Sequence, residues 1–438
     1  KYGVPGHNHE YASCHPHGSA LHCGSHDDHD HDHDHGHEDA PVIDLRTTRI
    51  DLRGEYRDPF AGFERLRFRA SHTDYRHHEI DEGEIETTFR NRGIDTRIEL
   101  QHVALGPFTG VLGLQHADTR FSAEGTEAFV PTVDTRSTGL FLVEHVQVGE
   151  QLHLELGARH ERVTHTPVRD PRNRPRYSDS ANSLSGAAIW DFDDATSLTF
   201  GVARSERLPS PQELYARGLH LATNTWECGM VPHPLTCGGA ANNAPIRTET
   251  SNNVELGLRR TEGPLTYAVS WHRNAIDDYV FARTLDRYED FRLVKYSQAD
   301  AVFRGYEFEL GWQFNQTWSA TLFGDRIRAS FRGGEPVPRI PADRVGMRVN
   351  ASFGDIGTEL EYYQQSRQTR VGDLDEAVPG HDMLNLTLTW SLGAYRNTTL
   401  FLRGSNLLDE AVYNPSSFLA TSVPLPGRNV SAGVRWTF

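Results

Sequence analysis

Residues 305–314 read GYEFELGWQF, with Tyr306, Phe308, Leu310, Trp312 and Phe314 at every second position and Gly305, Glu307, Glu309, Gly311 and Gln313 between them. Side chains on an extended chain point to alternate faces, so this stretch predicts a strand with one oily and one wet surface. The same alternation recurs at Leu152, Leu154, Leu156 and Ala158, at Val254, Leu256 and Leu258, at Leu384, Leu386, Leu388 and Trp390, and at Val430, Ala432, Val434, Trp436 and Phe438. Such segments run to about ten to sixteen residues, longer than the strands of a soluble sandwich. With 438 residues, 38 Gly, 21 Phe, 15 Tyr and only 3 Met, the chain suits one very large sheet better than several helical domains. Mean hydropathy is −0.57 and no run of about 18 apolar residues occurs, which excludes a transmembrane helix. A transmembrane antiparallel β-barrel keeps this low hydropathy, because lipid-facing and lumen-facing residues alternate.

The connections alternate as well. Short turns are expected at Leu105-Gly106-Pro107, Val148-Gly149-Glu150, Asp193-Asp194, Glu262-Gly263-Pro264, Asn315-Gln316-Thr317 and Asp355-Ile356-Gly357. Longer polar loops fall between them, around Ile80–Glu86, Glu124–Thr135, Pro167–Asp179, Pro209–Thr248, Arg332–Pro341 and Gly372–Gly380. Outer-membrane barrels have short periplasmic turns and long external loops, so the long set marks the outside. From Asp44 to Phe438 the pattern predicts about 17 strands, an odd number that suits a barrel whose first strands precede Lys1.

The organisation is thus an external loop over residues 1–43 and a partial barrel over 44–438, with a long outer loop at 209–248. The first of these holds nearly half of the chain's 24 histidines, in the run HNHEYASCHPHGSALHCGSHDDHDHDHDHGHED from His7 to Asp39. Alternating His and Asp buries no apolar surface and stays in water. Neutral imidazole is also the commonest protein ligand for zinc, so the run reads as a metal-collecting segment. A net charge of −16 fits cation capture and argues against nucleic acid, whose phosphates need a basic face.

Four cysteines fall in two equally spaced pairs, Cys14 with Cys23 and Cys228 with Cys237. The short spacings favour two local disulfides and hence an oxidising compartment, with thiolate zinc ligands as the competing reading. In the long loop, Ser210 as cap, Pro211 at the first helical position, Glu213 completing a capping box and Gly218 as terminator predict about two helical turns. His220 follows near Asn224.

Four groups of residues together resemble the C-terminal barrel of TonB-dependent outer-membrane receptors. They are Glu206-Arg207-Leu208-Pro209 leading to Glu213-Leu214-Tyr215, ETSNNVE at Glu249–Glu255, Asn406-Leu407-Leu408-Asp409 with Tyr413, and the terminal Phe438. More narrowly, GVPGHNHEY at Gly3–Tyr11, the Cys-bracketed His-rich loop, and LPSPQELYARGLHLATNT at Leu208–Thr225 resemble zinc receptors of the ZnuD type. HDMLNL at His381–Leu386 and SSFL at Ser416–Leu419 extend the likeness toward the C-terminus.

The resemblance implies a barrel of about 22 strands filled by an N-terminal plug and energised through TonB, with Zn2+ gathered by outer loops and passed to a tighter site between barrel and plug. It implies Glu10 and His220 as barrel-side ligands, with His7 and His9 beside them. His15, His17, His22, His26, His29, His31, His33, His35 and His37 would form the weaker collecting surface. Tetrahedral zinc accepts this mixture of imidazole nitrogen and carboxylate oxygen, and other divalent metals compete for it. Plug, TonB-contact motif and first strands are expected ahead of Lys1.

Three functions are therefore open. They are active zinc import across the outer membrane of a Gram-negative bacterium, a haem or siderophore receptor of the same superfamily, and a metal-buffering surface protein without transport. An enzyme is disfavoured, because carboxylates such as Glu307 and Glu309 face a wet lumen rather than a catalytic cleft.

Overall fold

The computed structural model describes residues 2–3, 9–24, 42–81, 83–168, 170–232, 237, 245–393 and 397–437, with the side chains of residues 2–3 and 9–10 outside that description. The chain opens with a two-residue strand, β1 (Tyr2–Gly3), and a small hairpin, β2 (His15–His17) and β3 (Ala20–His22). Eight long strands follow: β4 (Val42–Phe60), β5 (Phe63–Asp81), β6 (Glu84–His102), β7 (Phe108–Gly125), β8 (Val133–Val148), β9 (Leu152–Pro167), β10 (Tyr177–Asp193) and β11 (Thr196–Arg207). An excursion then holds a short helix, α1 (Pro211–Tyr215), and a second small hairpin, β12 (Arg217–His220) and β13 (Thr225–Cys228). The wall resumes with β14 (Glu249–Arg260), β15 (Leu265–Tyr288), β16 (Phe291–Gln313), β17 (Trp318–Phe331) and β18 (Arg344–Phe353). It ends with β19 (Ile356–Gln365), β20 (His381–Ser391), β21 (Thr398–Ser405) and β22 (Asn429–Trp436).

Each long strand pairs antiparallel with the next, and β11 pairs with β14 across the excursion. Seventeen long strands make the barrel wall among the described residues, in agreement with the count from the sequence. β1 pairs with the start of β4, Tyr2 opposite Ile43, so the strands on either side of the His-rich stretch are neighbours in the wall.

The alternation sorts the two faces as predicted. Trp312 is 57% exposed on the outer face, and Tyr306 and Leu310 are exposed with it. Their neighbours in register, Trp271 beside Tyr306 and Leu322 beside Leu310, continue the oily band around the wall. In water such a band would be a severe liability, whereas in lipid it is the stable arrangement. Near the short turns the band ends in aromatics, with Trp190 against Phe192 at 4.7 Å, Trp312 against Phe314 at 5.5 Å and Trp318 against Phe353 at 5.6 Å between ring centroids. This is an interfacial girdle. The opposite face is charged: Arg348 reaches Glu361 at 2.9 Å and Glu309 at 3.6 Å.

Two local expectations change. The stretch Ile80–Glu86 is not a long loop, because β5 runs to Asp81 and β6 resumes at Glu84. Here the hydrogen-bonded ladder continues above the lipid, where period two persists although both faces are polar. The helix after Ser210 spans only Pro211–Tyr215, and its capping box forms as read, the Glu213 N–H donating to Ser210 Oγ at 3.2 Å and the Ser210 N–H to Glu213 Oε2 at 2.7 Å. Gly218 does not end it. The chain turns extended at Ala216, and Gly218 sits in β12 with φ +154°, where a Cβ would come 3.1 Å from Phe129.

The Asn406-Leu407-Leu408-Asp409 motif turns the chain after β21. Asn406 is buried, its Oδ1 accepting from the Glu410 N–H at 3.0 Å and its Nδ2 donating to the Glu410 carbonyl at 2.9 Å. Both Asn406 and Asp409 hold positive φ, which Asn and Asp tolerate better than most residues.

Candidate functional site

The long loops converge on the outer mouth, where the wall rises furthest. β15 has 24 residues and β16 has 23, about twice the number that crosses a bilayer. Along the upper part of β16 lies β13, paired in parallel from Thr225 opposite Arg292 to Cys228 opposite Lys295. β12 folds back antiparallel on β13, His220 opposite Thr225, through a tight turn in which Asn224 adopts φ +49°. α1 packs beneath through Leu214 and Tyr215, which are fully buried with Val133, Met230 and Val280. Arg207 pins helix to wall, its guanidinium donating to Glu213 at 2.9 Å and Glu249 at 2.9 Å.

This scaffold fixes His220. Its ring lies on Phe129 with centroids 4.3 Å apart and planes within 16°. Its Nδ1 is 2.6 Å from Glu227 Oε1. Glu227 is only 2% exposed, and its second oxygen accepts from Gln212 Nε2 at 2.8 Å and from the Tyr296 hydroxyl at 3.0 Å. A carboxylate at Nδ1 selects the tautomer with its proton there, which leaves the Nε2 lone pair for a metal. Two more carboxylates flank the site: Glu127 Oε2 accepts from the Leu221 N–H at 2.8 Å, and Glu79 Oε2 is buried with no hydrogen-bond partner among the described residues.

Burial alone would push the Glu227 carboxyl up, but the hydrogen bond from His220, the charge of that ring and the bonds from Gln212 and Tyr296 together hold it below its ordinary 4.5. A lowered folded-state value stabilises the loop above about pH 4.5, and that contribution disappears as pH falls through the lower value. Limited proteolysis within residues 217–228 is accordingly expected to accelerate between pH 5 and pH 3 in wild type and to be less pH-dependent in Glu227→Gln.

Beside His220 stands the β2–β3 hairpin, closed by the Cys14–Cys23 disulfide. Register places His15 opposite His22 and His17 opposite Ala20, so His15, His17 and His22 share one exposed face, their ring centroids 5.1 to 6.3 Å apart. The other face docks. Tyr11 and Cys14 pack with Leu221 and Phe291, with Leu21, Leu219 and Trp226 closing over them, and the Leu21 N–H donates to Asp286 Oδ2 at 2.6 Å. One small core thus joins the His-bearing hairpin to the His220 strand. The Cys228–Cys237 disulfide ties the rest of the excursion to β13, so both local pairings form.

Among the described residues no three His, Cys, Asp or Glu side chains already stand in metal-holding positions. His7, His26, His29, His31, His33, His35 and His37 lie outside the described residues, as do the side chains of His9 and Glu10. Of the sequence-derived ligands, the fold brings His15, His17 and His22 together and sets His220 nearby. Glu227, Glu127, Glu79 and Phe129 were not singled out, because their approach to His220 depends on strand pairing between distant segments. Only the spacing of Glu227 from His220 across a possible hairpin could have signalled one of them.

Among solved structures, a copper transporter, OprC, superposes with a TM-score of 0.75 at 16% identity, covering 90% of this chain and 65% of that one. The FrpB iron transporter of Neisseria meningitidis gives 0.70 at 12% identity, covering 92% and 66%. The ferric yersiniabactin uptake receptor FyuA of Yersinia pestis gives 0.62 at 16%, covering 92% and 63%. The chain spans about two-thirds of the length of these structures, and identities this low speak for the fold alone. A model of the β-barrel of TonB-dependent receptor-like proteins matches residues 17–407. With its antiparallel wall, lipid-facing band and girdle, the chain belongs to the TonB-dependent receptor-like β-barrel family of Gram-negative outer-membrane proteins.

Proposed function

We propose that the intact receptor imports a divalent metal, zinc foremost, across the outer membrane in a TonB-dependent manner, as the resemblance to ZnuD-type receptors implies. The observation that carries this reading is His220, its Nδ1 held by buried Glu227 so that Nε2 is presented as a ligand, with the His15, His17 and His22 face alongside. Such a carboxylate–imidazole pair is the usual outer support of a metal-binding histidine. The hairpin gathers ions and His220 receives them, completed by Glu10, His7 and His9 and by groups of a plug. Modest side-chain rotation brings three imidazoles at the hairpin's spacing within reach of one ion, whose nitrogens lie at about 2.0–2.1 Å. The domain division, an external loop over 1–43 and a barrel over 44–438, belongs to this proposal.

Ligand softness argues against Cu(I) as the cargo. Cu(I) prefers thioether and thiolate, and of the three methionines Met230 is buried in the loop core, Met347 faces outward among lipid-facing residues, and Met383, opposite Tyr363, is a single thioether on the inner face. Imidazole and carboxylate suit zinc, with Cu(II), Ni(II) and Co(II) as competitors. Titration of the detergent-solubilised full-length receptor with zinc is expected to show binding at micromolar concentrations or tighter, weakened by His220→Ala. Absence of zinc binding there, or growth of a receptor-deleted strain unaffected by zinc starvation, overturns zinc import. A Soret band growing on haem titration would transfer the reading to haem.

A further inference from the structure

On the outward face of the wall, strand register sets arginines in line. Arg46 on β4 lies directly opposite Arg76 on β5, and Arg76 directly opposite Arg90 on β6. The arrangement repeats across the barrel, with Arg273 on β15 opposite Arg304 on β16 and Arg304 opposite Arg328 on β17. Parity places all six on the lipid side: Ile50, Ile94, Trp271, Tyr306 and Leu322 share their faces and are exposed. The row Ile50–His72–Ile94 lies four residues below the first triplet, about 13 Å along the strands, and the row Trp271–Tyr306 lies two residues below the second. Both triplets therefore stand above the oily band on the side of the long loops, the second closer to it than the first.

Like charges directly opposite on neighbouring strands, about 5 Å apart at Cβ, destabilise a sheet. Elsewhere on this surface arginines are neutralised across neighbouring strands: Arg92 meets Asp74 at 3.1 Å, Arg120 meets Asp134 at 2.5 Å and Arg136 meets Asp118 at 2.9 Å. Arg328 is held by Asp343. Arg46, Arg76, Arg90, Arg273 and Arg304 have no ion-pair partner among the described residues. On a chain with a net charge of −16, these two rows are cationic and face the lipid side.

We propose that these rows bind the phosphate groups of phosphorylated glycolipid in the outer leaflet of the outer membrane. Guanidinium forks bind phosphate oxygens bidentately, and a phosphate lying across a row neutralises the repulsion that the register imposes. The position selects lipid rather than a soluble anion, because the rows face away from the lumen on the surface that continues the oily band toward the long loops, where a headgroup is anchored by its own acyl chains.

The test uses the full-length receptor in detergent, challenged with bis-phosphorylated lipid A or with the same lipid stripped of phosphate, and read by native mass spectrometry. Wild type is expected to retain the phosphorylated form and to lose it as salt rises. The variant with both rows replaced, Arg46→Ser, Arg76→Ser, Arg90→Ser, Arg273→Ser, Arg304→Ser and Arg328→Ser, should retain at least about tenfold less, and the corresponding Lys variant should recover part of that loss. Heat-modifiable gel mobility selects folded variants. Equal retention of both lipids by wild type, which needs no variant, overturns the proposal, as does equal retention by folded wild type and the Ser variant. Full competition by inorganic phosphate at the lipid's own concentration also overturns it, since the rows would then be a site for free anions.

Discussion

Leu310→Arg is expected to destabilise the folded barrel by about 2–4 kcal/mol, the depth-dependent cost of a charge on the lipid face of a transmembrane strand. Leu310 is exposed on the outer face between Phe308 and Trp312, its neighbour in register being Leu322, so the guanidinium would have only hydrocarbon around it. Glu307→Arg, three residues away on the wet face, is expected to change stability by no more than about 0.5 kcal/mol. Reversible urea unfolding of the receptor in lipid vesicles measures both. Equal effects at the two positions would sink the assignment of lipid and lumen faces.

At the mouth, Glu227→Gln is expected to lower zinc affinity about 10–100-fold with every proposed ligand still in place, the usual loss when an outer-shell partner of a metal-bound histidine is changed. Glutamine keeps the shape and can still meet Gln212 and Tyr296. It removes the carboxylate that fixes the Nδ1 proton of His220. The same variant separates a positioned ligand from a passive polar loop. If zinc affinity measured by calorimetry stays within twofold of wild type, His220 does not receive the metal through Nε2.

Much of this molecule was legible because a membrane strand exposes its pattern twice, oily on one side and charged on the other. GYEFELGWQF announced its faces without any partner strand, and the capping box at Ser210 and Glu213 announced a helix from four residues. Where both faces meet water the signal faded. Ile80–Glu86, where β5 passes to β6, read as a long loop, although β5 runs to Asp81 and β6 resumes at Glu84. The His-rich composition pointed to metal, but not to which ring is held. The support of His220 comes from Phe129, Glu227, Gln212 and Tyr296, residues separated by as many as 167 positions and joined only when β13 aligns on β16.

The height of β15 and β16 has a mechanical side. Because the ladder between them continues to Tyr288 and Phe291, the tip behaves as a stiff mast rather than a tether, and the hairpin bearing His15, His17 and His22 is moored to it through Leu21 and Asp286. Under the proposed function, an ion caught there would keep a fixed bearing to the pore below, and its descent would be a short hop between anchored stations instead of a search by a wandering arm.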